Sequence, residues 1–89
     1  MRFTWDPRKA SSNVRKHSVT FEEAASVFDD EHALVQPDLI HEDRLLILGT
    51  SAQARVLFVV YVQVEAGDVV RIISARKATP HERKAYENE

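Results

Sequence analysis

The residues best suited to chemistry lie near the C-terminus, between Arg71 and Tyr86. Arg71 and Arg76 carry guanidinium groups, which form paired hydrogen bonds with phosphate oxygens in a geometry that lysine cannot match. Glu82 is the only carboxylate between positions 71 and 84, and it could accept a proton. Tyr86 follows four residues later, on the same face of a helix, and could donate one. This segment is therefore suited to binding a phosphate ester and transferring protons at it.

Each of these residues also has an ordinary structural explanation. Thr79, Pro80 and Glu82 form the pattern of a helix start, with an N-cap, a proline at the first helical position and a glutamate at the third. This capping role alone accounts for Glu82. An arginine at a strand end more often forms a surface ion pair, and Tyr86 could simply pack the helix onto a sheet. His81 adjoins the site, and histidine is suited to proton transfer near neutral pH, but solvent exposure accounts for it and we do not include it among the candidates.

Strand geometry creates a difficulty for the two arginines. On a regular strand Arg71 shares a face with Ile73 and Ala75, whereas Arg76 shares the opposite face with Ile72 and Ser74. Either a β-bulge intervenes, or Arg76 has already left the strand as the chain turns toward the last helix. We favour the second explanation.

Composition narrows the classes of protein. The 89 residues predict a single domain over 1–89. The absence of cysteine excludes disulfides, thiolate catalysis and sulfur-ligated metals. The four histidines are scattered, and there is no glycine-rich phosphate loop, so we expect neither a metal site nor a cofactor. No apolar run approaches the length of a membrane span, and the N-terminus does not resemble a secretory signal, so we expect a cytoplasmic protein without membrane contact.

The charge is distributed unevenly along the chain. The net charge of −2 divides into +4 over residues 1–17, −8 over residues 18–70 and +4 over residues 71–84. If the fold brings the two basic ends together, they would form a surface that can hold a phosphate backbone. Solvated helix faces explain the same charges equally well.

Periodicity predicts the order β-α-α-β-β-β-β-α, an α+β fold with helices packed on an antiparallel, four-stranded sheet. Asp6 and Pro7 begin a helix over residues 7–17, and Thr20 and Glu23 have the spacing of a capping box. Short strands are predicted around Phe3–Trp5 and Ala33–Val35. The longer strands cover Arg44–Leu48, Arg55–Val64 and Val69–Arg76, with a turn over 65–68. The second of these three is apolar on both faces, which predicts a place in the middle of the sheet.

Two motifs that bracket the chain resemble the BrnT family of ribonuclease toxins. The first runs from Trp5-Asp6 through Lys9, Asn13 and Lys16-His17 to an aromatic residue with paired acids, at positions 21–23. The second is Arg-Ile-Ile-Ser-Ala-Arg at positions 71–76, followed by Ala78, Glu82-Arg83 and Tyr86. One departure is Ser18, where the family usually has glycine; serine in a left-handed conformation costs about 1 kcal/mol, so we expect a different end to the first helix.

The resemblance implies a RelE-like fold and metal-independent RNA cleavage that halts translation. It also implies neutralisation by a BrnA-type antitoxin, which carries the DNA-binding element of the pair. On this basis the catalytic candidates are Arg71, Arg76, Glu82 and Tyr86. The candidates for RNA binding are Lys16, His17, Lys77 and Arg83. The alternative is a non-catalytic module of the same fold that binds RNA or a protein. Lys16 and His17 also suit the C-terminal end of a helix dipole without any further role.

Overall fold

A computed structural model describes residues 1–64 and 68–88 of the protein. The order of elements agrees with the prediction and confirms an α+β fold with three helices. The elements are β1 (Arg2–Thr4), α1 (Pro7–His17), α2 (Phe21–Ser26) with a 3₁₀ turn (Val27–Asp29), β2 (Leu34–Pro37), β3 (Leu45–Thr50), β4 (Val56–Val64), β5 (Val69–Lys77) and α3 (Pro80–Glu87). Most of the predicted turn at 65–68 lies outside the described residues.

The sheet differs from the prediction in size and in strand direction. It has five strands in the order β1-β5-β4-β3-β2, and β1 runs parallel to β5 while the other pairs are antiparallel. The expectation of four antiparallel strands is therefore wrong. The reason is that Arg2 pairs with Val69, far along the chain, and a local alternation of residue types carries no information about so distant a partner.

The three helices begin as their sequences predict. The Asp6 carboxylate accepts from the Arg8 N–H at 2.8 Å, and the Thr20 hydroxyl accepts from the Glu23 N–H at 3.0 Å. At α3 the Thr79 and Glu82 side chains each accept from the other's backbone N–H, which completes a capping box. The box predicted at α2 is only half formed, because the Glu23 carboxylate binds a different partner.

The core lies between one face of the sheet and α1 and α2. Phe21 from α2, Leu57 and Val59 from β4, and Val70 and Ile72 from β5 are almost completely buried there. Each such side chain contributes roughly 1.5–3 kcal/mol through the burial of apolar surface. Strand β4 occupies the centre of the sheet, which confirms the interpretation of its two apolar faces.

A β-bulge in β5 decides which face each arginine occupies. The pairing moves from Val60 with Ser74 to Tyr61 with Ile72, so Ile73 is an extra residue in β5. On the two sides of this bulge, Arg71 lies opposite Val62 and Arg76 lies opposite Phe58. Directly paired residues share a face, so both arginines lie on the face turned away from α1 and α2. Our preferred explanation, that Arg76 leaves the strand, is wrong, because β5 continues to Lys77.

Helix α1 protects the part of the β5 edge that β1 does not reach. The buried Asn13 amide donates to the Ala75 carbonyl at 2.8 Å and accepts from the Ala75 N–H at 3.1 Å, as a neighbouring strand would. It also donates to the Val19 carbonyl at 2.9 Å. Asn13 therefore satisfies an open strand edge with a side chain.

The end of α1 keeps the conformation typical of glycine. Ser18 has φ 57° and ψ 34°, in the left-handed region, and its N–H donates to the Val14 carbonyl at 2.9 Å. The expectation that serine would change this helix end is wrong. Helix α2 must turn back immediately to bury Phe21, and this packing outweighs the backbone strain.

Candidate active site

Arg76 and Glu82 form a two-point ion pair at the junction of β5 and α3. The Arg76 Nη1 and Nη2 atoms donate to the two Glu82 carboxylate oxygens at 2.8 and 2.9 Å. The guanidinium carbon lies 4.2 Å from the centre of the Phe58 ring, and the Thr79 N–H donates to the same carboxylate at 2.9 Å. The Arg76 side chain remains 35% exposed and that of Glu82 23%, so an anion from solvent can reach both.

The pair changes the acid–base properties of both groups. The Arg76 guanidinium lowers the pKa of Glu82, and this effect outweighs the opposing effect of burial. The Glu82 carboxylate in turn raises the pKa of Arg76. In the free protein Glu82 is thus an ionised carboxylate and a weak base.

Arg71 lies on the same face but does not join this pair. Along β4 its partner Val62 is four residues from Phe58, the partner of Arg76, which corresponds to about 13 Å. Ser74, opposite Val60, lies halfway between them. Arg71, Ser74 and Arg76 therefore form a straight row, which we call the β5 row, with steps of about 7 Å.

The Tyr86 hydroxyl does not contact Arg76 or Glu82, as a proton donor at that pair would, but contacts Asp30 and Thr50 instead. This hydroxyl donates to the Asp30 carboxylate and lies 2.9 Å from the Thr50 hydroxyl. The Thr50 N–H donates to the same Asp30 oxygen at 2.8 Å. Burial, followed by the contact with Asp30, raises the pKa of Tyr86. The hydroxyl thus attaches the end of α3 to β3 and to the 3₁₀ turn.

Lys77 and Arg83 lie together in a basic cleft on the other side of α3. This cleft has a volume of about 460 Å³, and Arg55 is its third cationic residue. Its remaining lining residues are Ala54, Val56, Ala78 and Glu87. Lys77 lies opposite Leu57 and so on the opposite face from Arg76. The structure therefore separates the predicted site into the β5 row and the basic cleft, with the start of α3 between them.

Sequence reasoning did not identify Arg55 or its partner. Glu23 is buried and accepts two hydrogen bonds from Arg55, one of them at 2.9 Å, and one from the Ser51 hydroxyl at 2.7 Å. The Arg55 side chain lowers the pKa of Glu23 against the effect of burial. A signal was present, because Arg55 is one of only two basic residues between positions 18 and 70 and directly precedes the apolar run over residues 56–62.

Lys16 and His17 face a small cavity between α1 and the bulge of β5. The cavity has a volume of about 170 Å³. It is lined by Lys9, Ser12, Asn13, Lys16, His17, Ile73 and Ser74, which we call the edge pocket. Ser74 belongs to both the edge pocket and the β5 row, so the two surfaces are continuous.

Within residues 1–64 and 68–88, no three histidine, aspartate or glutamate side chains are grouped as metal ligands would be. In the same part of the chain, no helix has the length and apolar character needed to cross a membrane.

Comparison with known proteins places this geometry in a family. Residues 5–82 match the family model described as the ribonuclease toxin, BrnT, of type II toxin–antitoxin systems. The crystal structure of the Brucella abortus ribonuclease toxin BrnT is similar, with a TM-score of 0.71 and 27% identity. The similarity covers 89% of this chain and 97% of that one. No curated protein sequence matches. The family match spans both motifs and most of the fold, and this chain therefore belongs to the BrnT family of ribonuclease toxins of type II toxin–antitoxin systems.

Proposed function

We propose that the protein is an endoribonuclease that cleaves RNA without a metal ion, at the junction of β5 and α3. The observation that carries this proposal is the accessible Arg76–Glu82 pair. It joins a phosphate-binding group to a carboxylate, on a surface with further cations at each side. Binding alone would not call for a carboxylate among phosphate contacts.

The reaction begins with an exchange of partners at Arg76. A backbone phosphate of the RNA replaces Glu82 as the hydrogen-bond partner of the Arg76 guanidinium. Glu82 then no longer has a cation bound to it. The pKa of Glu82 then rises from its lowered value toward its ordinary one, which makes the carboxylate a better base. Substrate binding in this way prepares the base at the position where it is needed.

Glu82 then accepts the proton of the ribose 2′-hydroxyl. The 2′-oxygen forms a bond to the adjacent phosphorus, and the bond from phosphorus to the 5′-oxygen breaks. Arg76 stabilises the additional negative charge of the phosphorane. The leaving 5′-oxygen takes up a proton from water, and Glu82 then releases its proton to solvent, so the products are a 2′,3′-cyclic phosphate and a 5′-hydroxyl end.

The remaining predicted residues receive supporting roles. Arg71, about 13 Å along the β5 row, binds a phosphate further along the strand. The RNA backbone is bound at the edge pocket by Lys16 and His17. It is bound at the basic cleft by Lys77 and Arg83. Proton donation by Tyr86 stays a prediction, and it requires the hydroxyl to leave Asp30.

We further propose that cleavage occurs in the cytoplasm and halts translation. A BrnA-type antitoxin neutralises the toxin and provides the only connection to DNA. The exposed edge strand β2, where Val35 is 55% exposed, offers backbone groups to an extended segment of that antitoxin. The chain acts as one domain over residues 1–89, and its mixed sheet is a variant of the RelE-like arrangement.

The test compares an RNA oligonucleotide with its 2′-deoxy counterpart in excess EDTA. We expect the RNA alone to be cut, with cyclic phosphate ends. Arg76→Ala and Glu82→Gln should abolish cutting, whereas Glu22→Gln, on an exposed part of α2, should leave it unchanged. Cutting of the deoxy strand, or dependence on a metal, would contradict the mechanism. RNA binding without cutting would favour the non-catalytic module, in which the Arg76–Glu82 pair serves only to hold α3.

A further inference from the structure

The edge pocket combines positive charge and hydroxyl groups without a carboxylate. Lys9 and Lys16 provide two cations, His17 a ring nitrogen, and Ser12 and Ser74 two hydroxyl groups. Among the described residues neither lysine forms an ion pair, and no acidic side chain lines the cavity. In a protein whose net charge is −2, this is a local concentration of cations and hydrogen-bond donors with no acidic side chain among the lining residues.

The position of the pocket matters as much as its composition. Ser74, which lines it, is the middle member of the β5 row and lies about 7 Å along the strand from Arg76 and a similar distance from Arg71. Without the extra residue Ile73, Arg71 would lie on the other face and the row would not exist. The bulge thus brings Arg71, Ser74 and Arg76 onto one face at even steps.

From this alignment we propose that the edge pocket is a phosphate-binding subsite for single-stranded RNA. It binds the backbone phosphate next to the one at Arg76, and Arg71 binds the following one. The inference rests on the proposed function in taking RNA as the ligand.

The even steps distinguish this ligand from an acidic protein segment. A nucleic acid strand carries one charge in every repeat of its backbone, so two arginines with a lysine-lined pocket between them along the strand suit it. Lysine and hydroxyl groups bind the phosphate charge without reading the base, so the subsite adds affinity but no sequence preference.

The first experiment measures binding apart from cleavage. A fluorescent 2′-O-methyl hexanucleotide, which cannot be cut, is titrated at several salt concentrations against the wild-type chain and the Lys9→Ala/Lys16→Ala variant. We expect weaker binding and a salt dependence of log K shallower by about 0.7 for each lysine that contacts a phosphate. Lys9→Arg/Lys16→Arg should restore both quantities.

Arg15→Ala is the matched control, because Arg15 is an exposed cation of the same helix that does not line the pocket. It should leave the salt dependence unchanged. Thermal melting of each variant confirms that the fold is retained. An unchanged salt dependence in the double lysine variant, or an equal change in Arg15→Ala, would overturn the proposal. So would displacement of the RNA by an acidic peptide at lower concentration than by unlabelled hexanucleotide.

A second experiment uses substrate length. A dinucleotide has a single phosphodiester and reaches only Arg76, so the double lysine variant should raise the KM for it much less than the KM for a hexanucleotide. The measured quantity is the ratio of these two KM effects. An equal effect on both substrates would overturn the proposal. If no RNA is cut by any form, the proposed function fails, while the binding experiment still decides the subsite.

Discussion

Replacing Tyr86 with phenylalanine separates a structural role of this residue from a catalytic one. The substitution removes one hydroxyl and leaves the ring in place. It deletes the hydrogen bond to the Asp30 carboxylate and the contact with the Thr50 hydroxyl. Asp30 keeps the Thr50 N–H at 2.8 Å and the His32 N–H at 2.9 Å, so its charge is not left without donors.

The loss of stability expected for Tyr86→Phe follows from the hydrogen bonds that the hydroxyl makes. A hydrogen bond to a charged acceptor contributes about 1.5–3 kcal/mol, and the partial exposure of Tyr86 favours the lower end. A loss of about 1.5 kcal/mol lowers the melting temperature of a domain of this size by roughly 6–12 °C. A proton donor in the reaction would instead reduce kcat by about 10²–10⁴-fold.

The assay therefore measures melting and cleavage on the same sample, with cleavage followed well below the melting temperature. We expect a lower melting temperature and less than about a tenfold loss of kcat, because this is smaller than the loss of a proton donor. The stabilisation also depends on pH. The pKa of Tyr86 is raised by burial and by Asp30, so its contribution is complete below the ordinary value of 10.0 and is lost as the pH rises through the folded value.

Tyr61→Phe provides the control. Tyr61 lies in the core at 5% exposure, and none of the side-chain hydrogen bonds among the described residues includes its hydroxyl. Because no buried side-chain oxygen there lacks a partner, this hydroxyl reaches solvent, and the change should be nearly neutral. If Tyr86→Phe melts like the wild type but loses kcat a hundredfold or more, the structural explanation is refuted and Tyr86 is the proton donor.

Three further substitutions test the structural reasoning. Asn13→Ala should lower the free energy of unfolding in urea by about 3 kcal/mol, since it leaves the Ala75 and Val19 backbone groups without partners; a change below about 0.5 kcal/mol would contradict this. Ser18→Gly should raise it by about 0.5–1 kcal/mol by relieving the left-handed serine, whereas Ser11→Gly within α1 should lower it. Glu23→Gln should cost about 2 kcal/mol at neutral pH, because it removes the charge bound by Arg55. As the lowered pKa of Glu23 makes this contribution complete above its ordinary 4.5, the difference from wild type should shrink as the pH falls; a constant difference would argue against the ion pair.

The elements of this protein could be predicted because their signals are local. The caps of α1 and α3, the positions of Pro7 and Pro80, and the apolar run of β4 all act within a few residues. Helix propensity and capping depend on neighbours within one turn, so the sequence alone carries all the information needed to predict them. The family motifs likewise indicated the ribonuclease toxin class before any contact was known.

The arrangement of the site depended on contacts between distant parts of the chain. The sequence placed Arg71 and Arg76 on opposite faces, and only pairing with β4 shows the bulge at Ile73 that aligns them. Similarly, Asp30 takes the Tyr86 hydroxyl and Glu23 binds Arg55, partners separated by 56 and 32 residues. The sequence by itself determined which elements form and which groups are available for chemistry. The tertiary structure decided which of those groups meet, because register and packing are set by the whole sheet rather than by any one strand.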